Sequence, residues 1–170
     1  MKLLQNLHSY DLLTFDWCLR RKHLSLFTVM SRWISKTADG HLYVIAALAL
    51  LANQQWFMAS VLCSALAGER ICYFFLKSHF RRNRPPQAIP GFRSVIQPSD
   101  KFSFPSGHTS AAFLMATLVG HWLPELSWAI YTWASLVGVS RVFLGVHFPT
   151  DTLAGASLGH CFALFALAIF

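Results

Sequence analysis

Long apolar stretches separated by short polar breaks make up most of this chain. Five windows, 41–57, 57–76, 109–123, 126–144 and 152–170, are long enough, or nearly so, to cross about 30 Å of hydrocarbon, which takes roughly 20 apolar residues of helix. The pattern predicts an all-α protein, a polytopic transmembrane helix bundle with five clear spans plus an N-terminal amphipathic or sixth helix. The polar breaks fall where turns are needed: Asn53-Gln54-Gln55, His121 to Glu125 around Pro124, and Arg141 to Pro149. Prolines 85, 86, 90 and 98 keep residues 81–104 out of a continuous helix.

Residues 1–40 read differently. Leucines and phenylalanines are interrupted there by Asp11, Asp16, Arg20, Arg21, Lys22, Arg32 and Lys36, the mixture of an amphipathic helix lying in the membrane interface. The run 24–34 is short for a span, but it crosses if tilted or extended by its flanks. Asp39-Gly40 ends this segment. The organisation expected is therefore an N-terminal interfacial segment, 1–40, with a possible extra span, and a membrane domain, 41–170.

Composition supports a membrane protein, since 55% hydrophobic and only 12% charged residues exclude an ordinary soluble domain. The net charge of +7 comes from basic residues spread along membrane-flanking segments. Anionic lipid headgroups, rather than nucleic acid, are the partner this suggests. The polar residues after Lys2 argue against a cleavable signal peptide. Cys18, Cys63, Cys72 and Cys161 have no metal-ligand spacing and read as buried thiols.

Three motifs carry chemistry: K-S-H-F-R-R-N-R-P from Lys77, P-S-G-H from Pro105, and S-R-V-F-L-G-V-H-F-P-T-D from Ser140. Following the chain from span to span brings all three to one membrane face. Lys77, Arg84 and Arg141 can stabilise the oxygens of a phosphoryl group without metal; taken singly, each also fits an interfacial residue reaching for headgroups. Ser106 and Gly107 precede an apolar helix, where backbone N–H groups favour an anion, although a simple helix cap uses the same residues. Pro149 starts the last helix, so Asp151 falls within reach of His147. If Asp151 accepts from one ring nitrogen, the other is free as a nucleophile, and His108 is placed to give a proton to the departing oxygen. A structural His–Asp bond is the alternative.

Only Asp151 of seven acids lies in a motif, so no set of carboxylate metal ligands is evident. Glu69 and Arg70 are ionisable residues inside a span, where such groups are costly and often functional. As neighbours on a helix they need not face each other. Two roles stay open for them: supporting the site from below, or forming a structural bridge.

Together the motifs K-x6-R-P, P-S-G-H and S-R-x5-H-x3-D resemble the signature of the type 2 phosphatidic acid phosphatase superfamily, matched without substitution over about residues 41–170. The resemblance implies His147 as nucleophile forming a phosphohistidine, Asp151 as its orienting partner and His108 as general acid. It also implies that Lys77, Arg84, Ser106, Gly107 and Arg141 hold phosphate oxygens, with no cofactor. The activity expected is hydrolysis of a membrane lipid phosphate or diphosphate, with undecaprenyl diphosphate, phosphatidylglycerol phosphate and phosphatidic acid as candidates. A lipid phosphotransferase and a non-enzymatic scramblase or binding protein are the alternatives. If residues 24–38 cross the membrane, the positive-inside rule turns the site outward, so the expected location is a bacterial inner membrane with the site facing the periplasm. Oligomeric state is left open, because the Gly155/Gly159 face can pack within or between chains.

Overall fold

The computed structural model describes residues 2–20, 24–98 and 100–170. Among them the helices are α1 (Lys2–Leu19), α2 (Leu24–Lys36), α3 (Gly40–Ala52), α4 (Trp56–Phe80), the single turn α5 (Pro85–Ala88), α6 (Gly107–Trp122), α7 (Ser127–Phe143) and α8 (Pro149–Ile169). No strand occurs among the described residues, so the all-helical expectation holds.

The helices do not confirm five clear spans. Window 41–57 is cut short because the Asn53 backbone and side-chain amides both donate to the Ala49 carbonyl, at 3.1 and 2.8 Å, and Gln54 adopts φ 58°. That leaves α3 with 13 residues. It joins α2 through a hydrogen-bonded corner in which Ala38 N–H donates to Ser35 and Leu42 N–H to Asp39. Three stretches, Ser25–Ala52, Trp56–Ala88 and Pro149–Ile169, are long and apolar enough to span a membrane. Helices α6 and α7, with 16 and 17 residues, fall short of that length.

Residues 24–38 therefore do not make a crossing of their own. Helix α2 runs antiparallel beside α7: Phe27 stacks on Phe143 at 5.4 Å, while further along Trp133 Nε1 donates to Thr37 at 2.7 Å. Asp11 of α1 meets Thr150 at the start of α8, so α1 lies on the same side as the motifs. Among the described residues α2 joins α3 in one candidate span, Ser25–Ala52. The described residues of 81–104 form no continuous helix, as expected, and Pro85 and Pro86 occupy the first positions of the single turn α5.

The interior joins α4, α6 and α8 through Val61, Leu62, Leu114, Leu118 and Ala163. Helix α8 comes so close to α6 that a Cβ on Gly155 would stand 2.5 Å from the Ser106 carbonyl oxygen, and one on Gly159 only 1.9 Å from that of Ser110. The small-residue face thus packs within the chain. Ile71, Phe75, Trp128, Leu153 and Phe165 are exposed around the outside, as expected where the solvent is hydrocarbon. Cys63 and Cys161 share that exposure, so only Cys18 is fully buried. One face of α1, with Asp11, Phe15 and Cys18, is buried, and the Phe15 ring lies 5.1 Å from Phe92 and 5.7 Å from Phe148. Packing therefore crosses residue 40.

Candidate active site

Helix ends build the site. Helix α4 delivers Lys77 in its last turn before Arg81 enters the left-handed region at φ 45° and stops it. Arg84 precedes α5, Ser106 caps α6, Arg141 ends α7, and His147 and Asp151 flank the start of α8. Side-chain contacts tie these ends together across long stretches of sequence.

Arg84 is the hub. Its Nη1 donates to the Val146 carbonyl at 2.6 Å and lies 3.3 Å from His147 Nε2, while Nη2 donates to Asp100 Oδ1 at 2.6 Å. A guanidinium has donors only, so Nε2 of His147 is the acceptor in this contact and its lone pair faces the cations. His147 is 2% exposed. Burial, reinforced by the charges of Arg84 and Arg141 and opposed by Asp151, lowers its pKa to about 3, so the ring is neutral near pH 7.

The expected His147–Asp151 pair is juxtaposed but not hydrogen-bonded: Nδ1 lies 3.8 Å from Asp151 Oδ2 and has no hydrogen-bond partner. Asp151 Oδ2 instead accepts from Ser103 Oγ at 2.7 Å and the Phe148 N–H at 2.8 Å. Its Oδ1 accepts from Arg82 at 2.7 Å. Arg82 reaches on to Asp11 at 2.6 Å, and Asp11 also receives the Thr150 N–H at 3.0 Å. Arg82 is thus the ionic partner of Asp151, and Asp11 of the N-terminal helix, 71 positions away from Arg82, holds the same guanidinium.

His108 Nε2 lies 3.1 Å from Asp39 Oδ1, at the corner between α2 and α3. Arg141 Nη1 donates to Ser35 at 2.6 Å, leaving its buried Nε without a partner. Gly107 packs against Tyr73, where a Cβ would come within 3.0 Å of the ring. The Ser106 hydroxyl pairs with Thr109 at 2.9 Å and its N–H donates to Asp151 O at 3.0 Å.

Asp100 holds the position expected for a substrate anion. Lys77 Nζ stands 2.7 Å and Arg84 Nη2 2.6 Å from its Oδ1, and Tyr73 donates to its Oδ2 at 2.7 Å. Lys77 also donates to the Tyr73 hydroxyl. Burial resists ionisation of Asp100, but the hydrogen bonds from Lys77, Tyr73 and Arg84 outweigh it and hold the pKa down to about 2.

Sequence reasoning missed Asp11, Asp39, Arg82 and Asp100. The one signal for the three aspartates was the expense of a carboxylate in so apolar a chain, and Arg82 had none. Arg70 lines the site cavity with its guanidinium 4.7 Å over Tyr73. Glu69 is fully buried, and its Oε2 lies 3.4 Å from Arg70 Nη2. Among the described residues no group of three potential metal ligands gathers. The cavity, about 890 Å³, runs from His147, His108 and Arg84 to an apolar stretch walled by Val44, Leu48 and Phe74. One end suits an anion and the other a hydrocarbon chain.

The helical bundle thus gathers Lys77, Arg84 and Arg141 around a buried neutral histidine beside an apolar groove. Residues 58–170 match the family model of the PAP2 superfamily, and the chain belongs to that family. It is 30% identical over 133 residues to the bacitracin transport permease protein BcrC of Bacillus licheniformis, covering 78% of this chain and 58% of that one. To phosphatidylglycerophosphatase B of Bacillus subtilis it is 39% identical over 102 residues, 54% of this chain and 47% of the relative. The chain thus spans about half the length of these curated relatives. The crystal structure of Aquifex aeolicus LpxE superposes with a TM-score of 0.83 at 26% identity, covering 92% of this chain and 94% of that one.

Proposed function

We propose that this integral membrane protein is a lipid phosphate or diphosphate phosphatase acting through a phosphohistidine, without metal. The observation that carries the reading is the approach of Arg84 to His147 Nε2 at 3.3 Å, which puts a neutral imidazole lone pair beside phosphate-binding cations. Family membership and the name of a relative, phosphatidylglycerophosphatase B, support the same reaction class.

In this mechanism the phosphoryl group displaces Asp100 from Lys77 and Arg84, and Arg141 takes a third oxygen. His147 Nε2 attacks phosphorus, a P–N bond forms, and the P–O bond to the lipid breaks. His108 gives its proton to the leaving oxygen while Asp39 balances the imidazolium charge. Asp151 supports the charge that develops on His147. Water then attacks the phosphohistidine, His108 takes the proton, and inorganic phosphate leaves. The lipid chain stays in the groove between α3 and α4.

The test is phosphate release by purified protein in detergent with chelator, over a panel of lipid phosphates and diphosphates. Activity should persist in chelator and fall by at least about a thousandfold in His147→Ala, as expected for a lost nucleophile. Strict dependence on a divalent metal, or a His147→Ala protein as active as the parent, would sink the proposal. Phosphate release that requires an added lipid acceptor would instead identify a phosphotransferase.

A further inference from the structure

A second cavity, about 340 Å³, adjoins the first and is far more polar. Arg32, Ser35, Lys36 and Asp39 from α2 and its corner line one wall; His108 and Arg141 line another. His108 and Arg141 also line the larger cavity, so the two spaces meet at the general acid and at a phosphate-binding arginine. His147 belongs to the larger cavity.

Charge and unused hydrogen-bonding capacity point to an anion in the smaller space. Arg32, Lys36 and Arg141 face it against a single carboxylate, Asp39, which is engaged with His108. Arg141 is 4% exposed, yet its Nε has no partner, and a buried guanidinium N–H left unmatched is costly. Arg32 spends one N–H on the Val95 carbonyl at 3.1 Å, and Lys36 Nζ lies 5.1 Å over the Trp33 ring with no ion pair among the described residues.

We infer that this cavity is a subsite for the second phosphoryl group of a lipid diphosphate, which makes a diphosphate rather than a monophosphate the preferred substrate. The inference rests on the phosphatase reading above. With the terminal phosphorus facing His147, the bridging oxygen is the leaving atom and lies by His108. The inner phosphate, one bond further, falls across the seam onto Arg32 and Lys36, while Arg141, which lines both spaces, reaches both phosphates. The lipid continues around the corner, where Ala38 and Gly40 line the larger cavity. Attack forms the P–N bond, breaks the bridging P–O bond, and releases the lipid monophosphate with a proton from His108.

The test compares kcat/KM for farnesyl diphosphate and farnesyl monophosphate in the full-length protein and in an Arg32→Gln/Lys36→Gln variant, both exposed positions. The variant should lose about tenfold on the diphosphate, the scale of a lost charge-assisted contact, and change by less than about twofold on the monophosphate. Arg32→Lys/Lys36→Arg should restore most of the loss. Equal losses on both substrates, or none on either, would overturn the subsite. So would a variant whose sole change is weaker inhibition by inorganic phosphate, which would mark the cavity as an exit for product. If the parent releases phosphate from neither substrate, or His147→Ala does so undiminished, the phosphatase reading itself has failed.

Discussion

The two histidines of the site live in unlike surroundings. The His147 side chain is 3% exposed, fixed by the loop ahead of α8, with Asp151 held by Ser103, Phe148 and the Arg82–Asp11 pair. The His108 side chain is 25% exposed, sits between two cavities, and has one carboxylate neighbour, itself 39% exposed. In the proposed mechanism the nucleophile therefore sits in a closed setting, whereas the proton donor's side is open to whatever leaving group arrives. Such a division lets one bundle fix the phosphoryl step and vary the lipid by changing residues around α2 and α3.

The largest effect expected on this contrast comes from Arg82→Ala. It frees two buried carboxylates at once, and kcat should fall about a hundredfold, the scale of a small misplacement of a reacting group. Single-turnover kinetics of phosphohistidine formation would check it; unchanged kinetics in a folded variant would show that His147 is positioned without Asp151.

Asp39→Asn should act on the other side, lowering kcat about tenfold with KM nearly unchanged. The loss should vanish with p-nitrophenyl phosphate, whose leaving group needs no proton. A purely structural Asp39 would depress both substrates alike.

Acid should expose the burial of His147. Its folded pKa, about 3, lies below the ordinary 6.5, so between those values the unfolded chain binds the proton and the folded one does not. Stability is fully present above pH 6.5 and is lost as pH falls toward 3. Asp100, lowered from 3.8 to about 2, adds a loss in the same direction over that lower window. In thermal unfolding at a series of pH values, His147→Gln should flatten the slope between pH 6 and 4 by about one proton. An unaltered slope would place the proton uptake elsewhere.

The smallest change should come from Asp100→Asn, which removes a competing anion from the cradle: KM should fall about threefold, within the net worth of a hydrogen bond to a charged group. A fall in kcat instead would show that Asp100 positions Lys77 and Arg84 during turnover.

How far the sequence could be read follows from distance along the chain. The gathering of Lys77, Arg84, His108, Arg141, His147 and Asp151 at helix ends was legible because turn residues stand next to each. Asp39 and His108 are separated by 69 positions and Asp11 and Thr150 by 139; no local pattern announces such pairs. Asp39 was read as a break between segments, which it is, but the same corner aims its carboxylate at the proton donor. Hydropathy also blurred the boundaries, running through Asn53 and thereby counting α3 as a full span.

Asp100 has one more consequence. Because its carboxylate rests in the cation cradle, an arriving anion makes an exchange of one negative group for another. A phosphodiester headgroup, with a single charge, brings little more than the carboxylate it displaces; a terminal phosphate with two charges brings more. In a membrane crowded with singly charged lipids, the resting site is thereby shielded from its commonest neighbours by a threshold built into its own chain.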